Sequence, residues 1–154
     1  MEKIIAKINL LWGAVVTLLS AVLGQYWYLF AAFFVLNVVD YTTGVLKARM
    51  LHTESSYKGL KGIVKKVGYW IVIAIAFFMS LCFSNMGAEI GIDLGFTVLF
   101  GWFTLATFII NEIRSILENL VKIGVYVPGF LIKGLEVASE LIEHKTEHKD
   151  GDGK

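Results

Sequence analysis

Asp40 is the residue of this sequence with the clearest chemical significance, because it ends a long apolar run, residues 29–39. If that run crosses a bilayer, a carboxylate at its end is costly, and such residues usually have a function. One interpretation is structural: Asp40 caps a helix that starts at Tyr41, or it pairs with Lys47 or Arg49. The other interpretation is a role in assembly or gating. The sequence leaves both open.

The residues that enzymes use for catalysis are sparse here. The three histidines are His52, His144 and His148, and only the last two have the spacing of metal ligands on one helix face, without a third ligand. No glycine-rich phosphate loop is present, and no nucleophile has a base beside it. Cys82 is the single cysteine, so it forms no disulfide within the chain. We expect no catalytic residue, no metal and no cofactor.

A line of weakly polar residues recurs at helical spacing near residue 100 and is called the polar stripe below. Small and hydroxylated residues on one face favour contact with another helix or with water inside a membrane. Alternatively, each threonine hydroxyl bonds back to a carbonyl of its own helix. The stripe consists of Thr97, Gly101, Thr104, Thr107 and Asn111.

Positive charge is strongly segregated along the chain. The sequence is 56% hydrophobic and 18% charged, whereas roughly a quarter of the residues in ordinary globular domains are charged. No Lys or Arg lies in residues 8–46 or 67–113, and residues 40–66 between them are strongly basic. Cations collect in the cytoplasmic segments of membrane proteins. The basic residues between the apolar blocks are Lys47, Arg49, Lys58, Lys61, Lys65 and Lys66.

This pattern predicts an all-α protein that crosses the membrane several times. A transmembrane helix needs about 20 mostly apolar residues. We expect four spans, at residues 4–23, 26–46, 64–83 and 92–110. A cytosolic basic loop at 47–63 connects the second span to the third. Both termini are then cytoplasmic, because both outer connections lack cations. The first two spans form a tight hairpin in this interpretation; the alternative is one long helix that continues through Gly24.

The residues after the fourth span favour two amphipathic helices, at 111–122 and 130–142. In the first, Ile113, Ile116, Leu117 and Leu120 share one face. Both helices are expected to lie on the inner leaflet or to pack against each other. Residues 1–143 form a single membrane domain in this interpretation, and residues 144–154 form a disordered polar tail.

Three segments, in this order along the chain, resemble the phage-lysis and toxin-secretion holins of Gram-positive bacteria and their phages. They are DYTTGVLKA at residues 40–48, SSYKGLKGIVKK at 55–66, and NEIRSILENL at 111–120, which Pro128 follows. The resemblance covers roughly residues 37–132, and it brings no catalytic residues with it. The positions where the motifs match, and which are candidates for assembly, are Asp40, Thr43, Gly44, Lys47, Asn111, Glu112, Ser115, Glu118 and Asn119.

The resemblance implies a small protein of the bacterial cytoplasmic membrane that associates with its own copies and opens lesions. A cell-wall hydrolase or a toxin would leave through them without necessarily touching it. The polar stripe would then face a neighbouring copy or the lumen. The basic loop favours anionic lipid as a partner over nucleic acid. Two alternatives remain open: a small channel or transporter for ions or metabolites, and a non-conducting membrane scaffold.

Overall fold

The computed structural model describes residues 2–150, except the side chains of 3, 18, 19, 21–23 and 143–150. Two compact units make up the chain, Met1–Val35 and Leu36–Lys154. All regular elements in the described part are helical, which confirms the all-α class. They are α1 (Glu2–Leu23), α2 (Trp27–Met50), α3 (Ser56–Ile90), a 3-10 turn (Gly95–Thr97), α4 (Val98–Lys122) and α5 (Gly129–Asp150).

Three helices in the described residues are long and apolar enough to cross a membrane, whereas four spans were predicted. These are Trp27–Met50, Ser56–Ile90 and Gly95–Lys122. The predicted first span falls on α1, where the apolar stretch is Ile4–Thr17. The remainder of this predicted span includes residues whose side chains lie outside the description.

The chain does not form one helix through Gly24, as the alternative interpretation required. Helix α1 ends at Leu23 and α2 begins at Trp27. Between them Gly24 has a φ of 75°, in the left-handed region that glycine adopts at no steric cost. The break at this point therefore agrees with two separate helices.

The predicted basic loop at 47–63 is much shorter in the structure, because α2 continues to Met50 and α3 begins at Ser56. Ser55 supplies a helix cap: its backbone is extended and its hydroxyl accepts a hydrogen bond from the Lys58 N–H, at 3.5 Å. The basic residues therefore lie largely on the ends of two helices, where long side chains reach water without a loop.

The helices after the predicted fourth span also differ from the prediction. Residues 111–122 form no separate helix but are the last turns of α4, since no glycine or proline interrupts them. Gly124, with a φ of 88°, ends this helix, and Pro128 precedes α5. Helix α5 continues to Asp150. Residues 144–150, which were predicted as part of a disordered tail, are therefore helical in the structure. Residues 151–154 lie outside the described residues.

Helices α3 and α4 form the packed pair of the second unit. Ile73 of α3 and Leu105 of α4 are fully buried. The rings of Tyr69 and Phe108 stack at 4.3 Å, and those of Phe77 and Trp102 meet edge to face at 5.1 Å. Such aromatic pairs add about 0.5–1.5 kcal/mol beyond the area they bury. Outside this seam, many large apolar side chains of α3 are exposed, among them Ile71, Ile75, Phe78 and Leu81.

Gly101 lets α3 and α4 approach closely at the Phe77 ring. A Cβ at this position would lie 2.5 Å from two ring carbons. We expect Gly101→Ala to lower the free energy of unfolding by about 1–3 kcal/mol, as overpacked cores do. Helical circular dichroism of the protein in detergent, followed during thermal unfolding, measures the change.

Gly68→Ala is the matched control, because a Cβ there meets nothing within 4 Å. It should be neutral or stabilising, since Ala has a higher helix propensity than Gly. Equal stability of the two variants would contradict the close contact at Gly101.

Candidate functional site

Lys66 joins three helices through two buried ion pairs. Its ammonium on α3 lies 2.9 Å from the Oδ2 atom of Asp40 on α2 and also bonds the Oε2 atom of Glu112 on α4. The three side chains are 15%, 16% and 4% exposed, respectively. Removing such charges from water costs several kcal/mol per ion, and only well-placed partners offset that cost. The helices must therefore meet at this level for the charges to be tolerated.

Asn119 extends this cluster along α2. Its amide nitrogen donates to Asp40 Oδ1 at 3.1 Å and to Thr43 Oγ1 at 3.3 Å, and its amide oxygen accepts from the Lys47 ammonium. The asparagine is only 5% exposed. Both the nitrogen and the oxygen of its amide are therefore hydrogen-bonded to residues of α2, as a buried polar side chain requires. Asp40, Thr43, Lys47, Lys66, Glu112 and Asn119 are called the polar network below.

The structure places the candidate motif residues in three different settings. Asp40, Thr43, Lys47, Glu112 and Asn119 belong to the polar network. Gly44 lies beside Asn119, since a Cβ on it would be 3.7 Å from the amide nitrogen.

The remaining candidates lie around the edge of the network. Asn111 and Ser115 line a polar cavity of about 370 Å³ beside it, together with Asp40 and Glu112. Glu118 also borders this cavity, and it pairs with Arg114 at 3.2 Å on the exposed face of α4. Such a pair contributes little to stability.

The predicted local roles of Asp40 are wrong. Asp40 lies inside α2 and caps no helix start at Tyr41. Its cationic partner is Lys66, whereas Lys47 bonds Asn119 and Arg49 pairs with Glu54 at 3.3 Å. Sequence reasoning missed Lys66 as a site residue. A signal was present, because Lys66 lies inside the predicted third span, where a charge needs a partner.

The four residues of the polar stripe that precede Asn111 divide into two parts, whereas Asn111 itself lines the polar cavity. Thr97 and Gly101 are buried against α3: the Ser80 hydroxyl donates to the Thr97 carbonyl at 2.6 Å, and Phe77 covers Gly101. Within this chain, these two positions therefore contact another helix. Thr104 and Thr107 are partly exposed, and their hydroxyls donate to Phe100 and Phe103 carbonyls one turn earlier. For these two the interpretation of bonds within one helix holds in this structure.

The bonds of the polar network position helices against one another. Within the described residues, no group of three or more His, Cys, Asp or Glu side chains could hold a metal ion. The side chains of His144 and His148 lie outside the description. The acids and bases of the polar network bond one another, and the cluster holds α2, α3 and α4 together.

Together, the apolar helices and the buried polar network define a multispanning α-helical membrane protein. Residues 17–140 match the bacteriophage holin family. The chain belongs to that family.

Individual relatives are similar to most of this chain. A probable holin of Bacillus phage phi105 is 32% identical over 116 residues, which are 75% of this chain and 78% of that protein. An uncharacterized protein of Halalkalibacterium halodurans is 29% identical over 82% of this chain and 90% of its own length. An uncharacterized protein of Clostridium perfringens is 33% identical over 88% of this chain and 93% of its own. No solved structure matches.

Removing the Lys66 ammonium should strongly destabilise the fold, because two buried carboxylates then face each other without a cation. We expect Lys66→Met to lower the free energy of unfolding by about 3–5 kcal/mol. Lys61→Met, on the exposed surface of the same helix, should change it by less than about 0.5 kcal/mol. Thermal unfolding in detergent compares the two variants.

A double variant separates the ion pair from loss of packing. In Lys66→Met/Glu112→Gln one of the two uncompensated charges is gone, so the combined loss should be clearly smaller than the sum of the single losses. Strictly additive losses would mean that Lys66 and Glu112 do not interact energetically.

Proposed function

We propose that this holin associates with copies of itself in the bacterial cytoplasmic membrane and opens lesions there. A cell-wall hydrolase or a toxin leaves the cytoplasm through these lesions and needs no direct contact with the holin. The observation that carries the proposal is the family match over residues 17–140. The same residues include the three candidate spans.

The distribution of polar groups supports a role in assembly rather than catalysis. The charged groups of the polar network are satisfied within one chain, and the outer surfaces of α3 carry large apolar side chains. Such helices can exchange lipid contacts for contacts with other copies at little electrostatic cost. We infer that the protein acts without a chemical step or a cofactor.

Charge also orients the proposed assembly. The three candidate spans have basic ends on the side of the polar network. These ends are the last turn of α2, the start of α3 and the last turn of α4 with Lys122. Following the preference of cations for the cytoplasm, we place this end of the three helices on the inner side. The last turn of α3, with Glu89, and the connection to α4, with Asp93, are then outside.

Lesion formation predicts leakage of folded protein. The gene is induced in bacteria whose walls are opened by added muramidase under osmotic support, so that only the cytoplasmic membrane retains β-galactosidase. We expect the folded enzyme to appear in the medium and the membrane potential to collapse, with neither change in cells that carry an empty vector. Ion flux without enzyme release would favour a channel, and an intact membrane would favour a scaffold.

The partly exposed half of the polar stripe provides a test of assembly. Thr104→Leu/Thr107→Leu removes two hydroxyls from α4, and we expect it to delay or abolish lysis, because that face then prefers lipid. Thr17→Leu/Thr42→Leu is the matched control, since these exposed threonines also bond back to their own helices, at 2.8 and 2.9 Å. At equal protein levels, identical timing of the two variants would remove the stripe from the assembly mechanism.

A further inference from the structure

A basic groove lies where the end of α2 meets the start of α3. It has a volume of about 830 Å³, within the range of sites for small ligands. Four cations line it, Lys47, Arg49, Lys58 and Lys66, against two carboxylates, those of Asp40 and Glu54. Hydroxyl groups of Tyr41, Thr53 and Ser56 also line it.

The carboxylates leave part of this positive charge available. Asp40 is bonded to Lys66, which also bonds Glu112 and belongs to the polar network. Glu54 contacts Arg49 at 3.3 Å, but their side chains are 62% and 71% exposed, respectively. An exposed pair of this kind is weak and exchanges readily for another anion. Arg49 and Lys58 can therefore turn toward a ligand at the mouth of the groove.

The groove also has an apolar part. Val45, Leu60 and Ile63 line it beside the cations, at the ends of two candidate spans. A free inorganic anion makes no favourable contact with such an apolar surface. A phospholipid does, because a glycerol backbone and acyl chains are attached to its phosphate. Basic pockets between transmembrane helices on the cytoplasmic side are known to take anionic lipid head groups.

We propose that this groove binds the phosphate of one anionic phospholipid, with Arg49 and Lys58 at the phosphate and the apolar residues along the glycerol and the first acyl carbons. The site differs from diffuse attraction of a basic segment to a charged surface, because only some of the cations contribute. The proposal rests on the placement of the protein in a membrane and on no step of lesion formation.

The experiment measures lipid retained by the full-length protein in detergent. Native mass spectrometry follows a titration with phosphatidylglycerol, and separately with phosphatidylcholine, for each variant. In Arg49→Gln/Lys58→Gln we expect affinity for phosphatidylglycerol to fall about tenfold or more. The control, Lys61→Gln/Lys122→Gln, removes the same charge outside the groove lining and should stay within about twofold. All four side chains are exposed, so folding should be retained, and circular dichroism verifies this.

Each outcome decides the proposal. A selective loss in the groove variant, together with a preference for phosphatidylglycerol over phosphatidylcholine, supports a lipid site. Equal losses in both variants, or no preference between the lipids, overturn it in favour of diffuse attraction or of no site. Displacement of the lipid by excess inorganic phosphate would assign the groove to a free anion and overturn the lipid source. Leakage of β-galactosidase is measured separately, so failure of either proposal leaves the other standing.

Discussion

One ammonium group shared by two carboxylates fixes the register of the three-helix unit. Lys66, Asp40 and Glu112 come from different helices, and each would be costly alone in a low-dielectric environment. A slide of one helical turn, about 5.4 Å, would separate the charges and leave them without partners. The polar network therefore tolerates one arrangement of α2, α3 and α4, whereas apolar packing alone would tolerate several.

A second polar contact fixes the other end of the α3 and α4 pair. Ser80 donates to the Thr97 carbonyl at 2.6 Å, and the Thr97 hydroxyl donates to the Ser80 carbonyl at 3.3 Å. Together with the Lys66–Glu112 pair, this contact makes the two helices antiparallel. Between the two polar contacts lie Ile73, Leu105 and the close approach of Gly101 to Phe77. The pair is thus held by polar bonds near its ends and by tight packing along its length.

The sequence predicts the helical class because a long apolar segment in a membrane must satisfy its backbone hydrogen bonds internally, and a helix does so within one segment. It predicts boundaries less well, since charge indicates contact with water but does not distinguish a loop from a helix end. The basic residues from Ser56 onward lie on a helix that Ser55 caps. In the same way, α4 continues past Ile110 because a change from apolar to amphipathic composition does not stop a helix.

The sequence motifs identify many of the residues of the site, but they do not show which of these residues bond one another. Asp40, Glu112 and Asn119 come together in the polar network, although they are far apart in sequence. Lys47 follows Asp40 by two helical turns, about 10 Å along one helix, which is too far for a direct bond without bending both side chains. The partner is Lys66 on another helix, and a single sequence does not give the distances between helices.

The satisfaction of these charges within one chain constrains how copies could associate. An interface that depended on Asp40 or Glu112 would have to break bonds that already offset their burial, at a cost of several kcal/mol. Association through apolar and weakly polar surfaces, such as the exposed face of α3 and the Thr104–Thr107 part of α4, has no such cost. Contacts of that kind are individually weak, so assembly would require many copies at high local concentration. Under the proposed function, the internal polar network leaves the apolar and weakly polar surfaces for contacts between copies, because its own charges are already bonded within the chain.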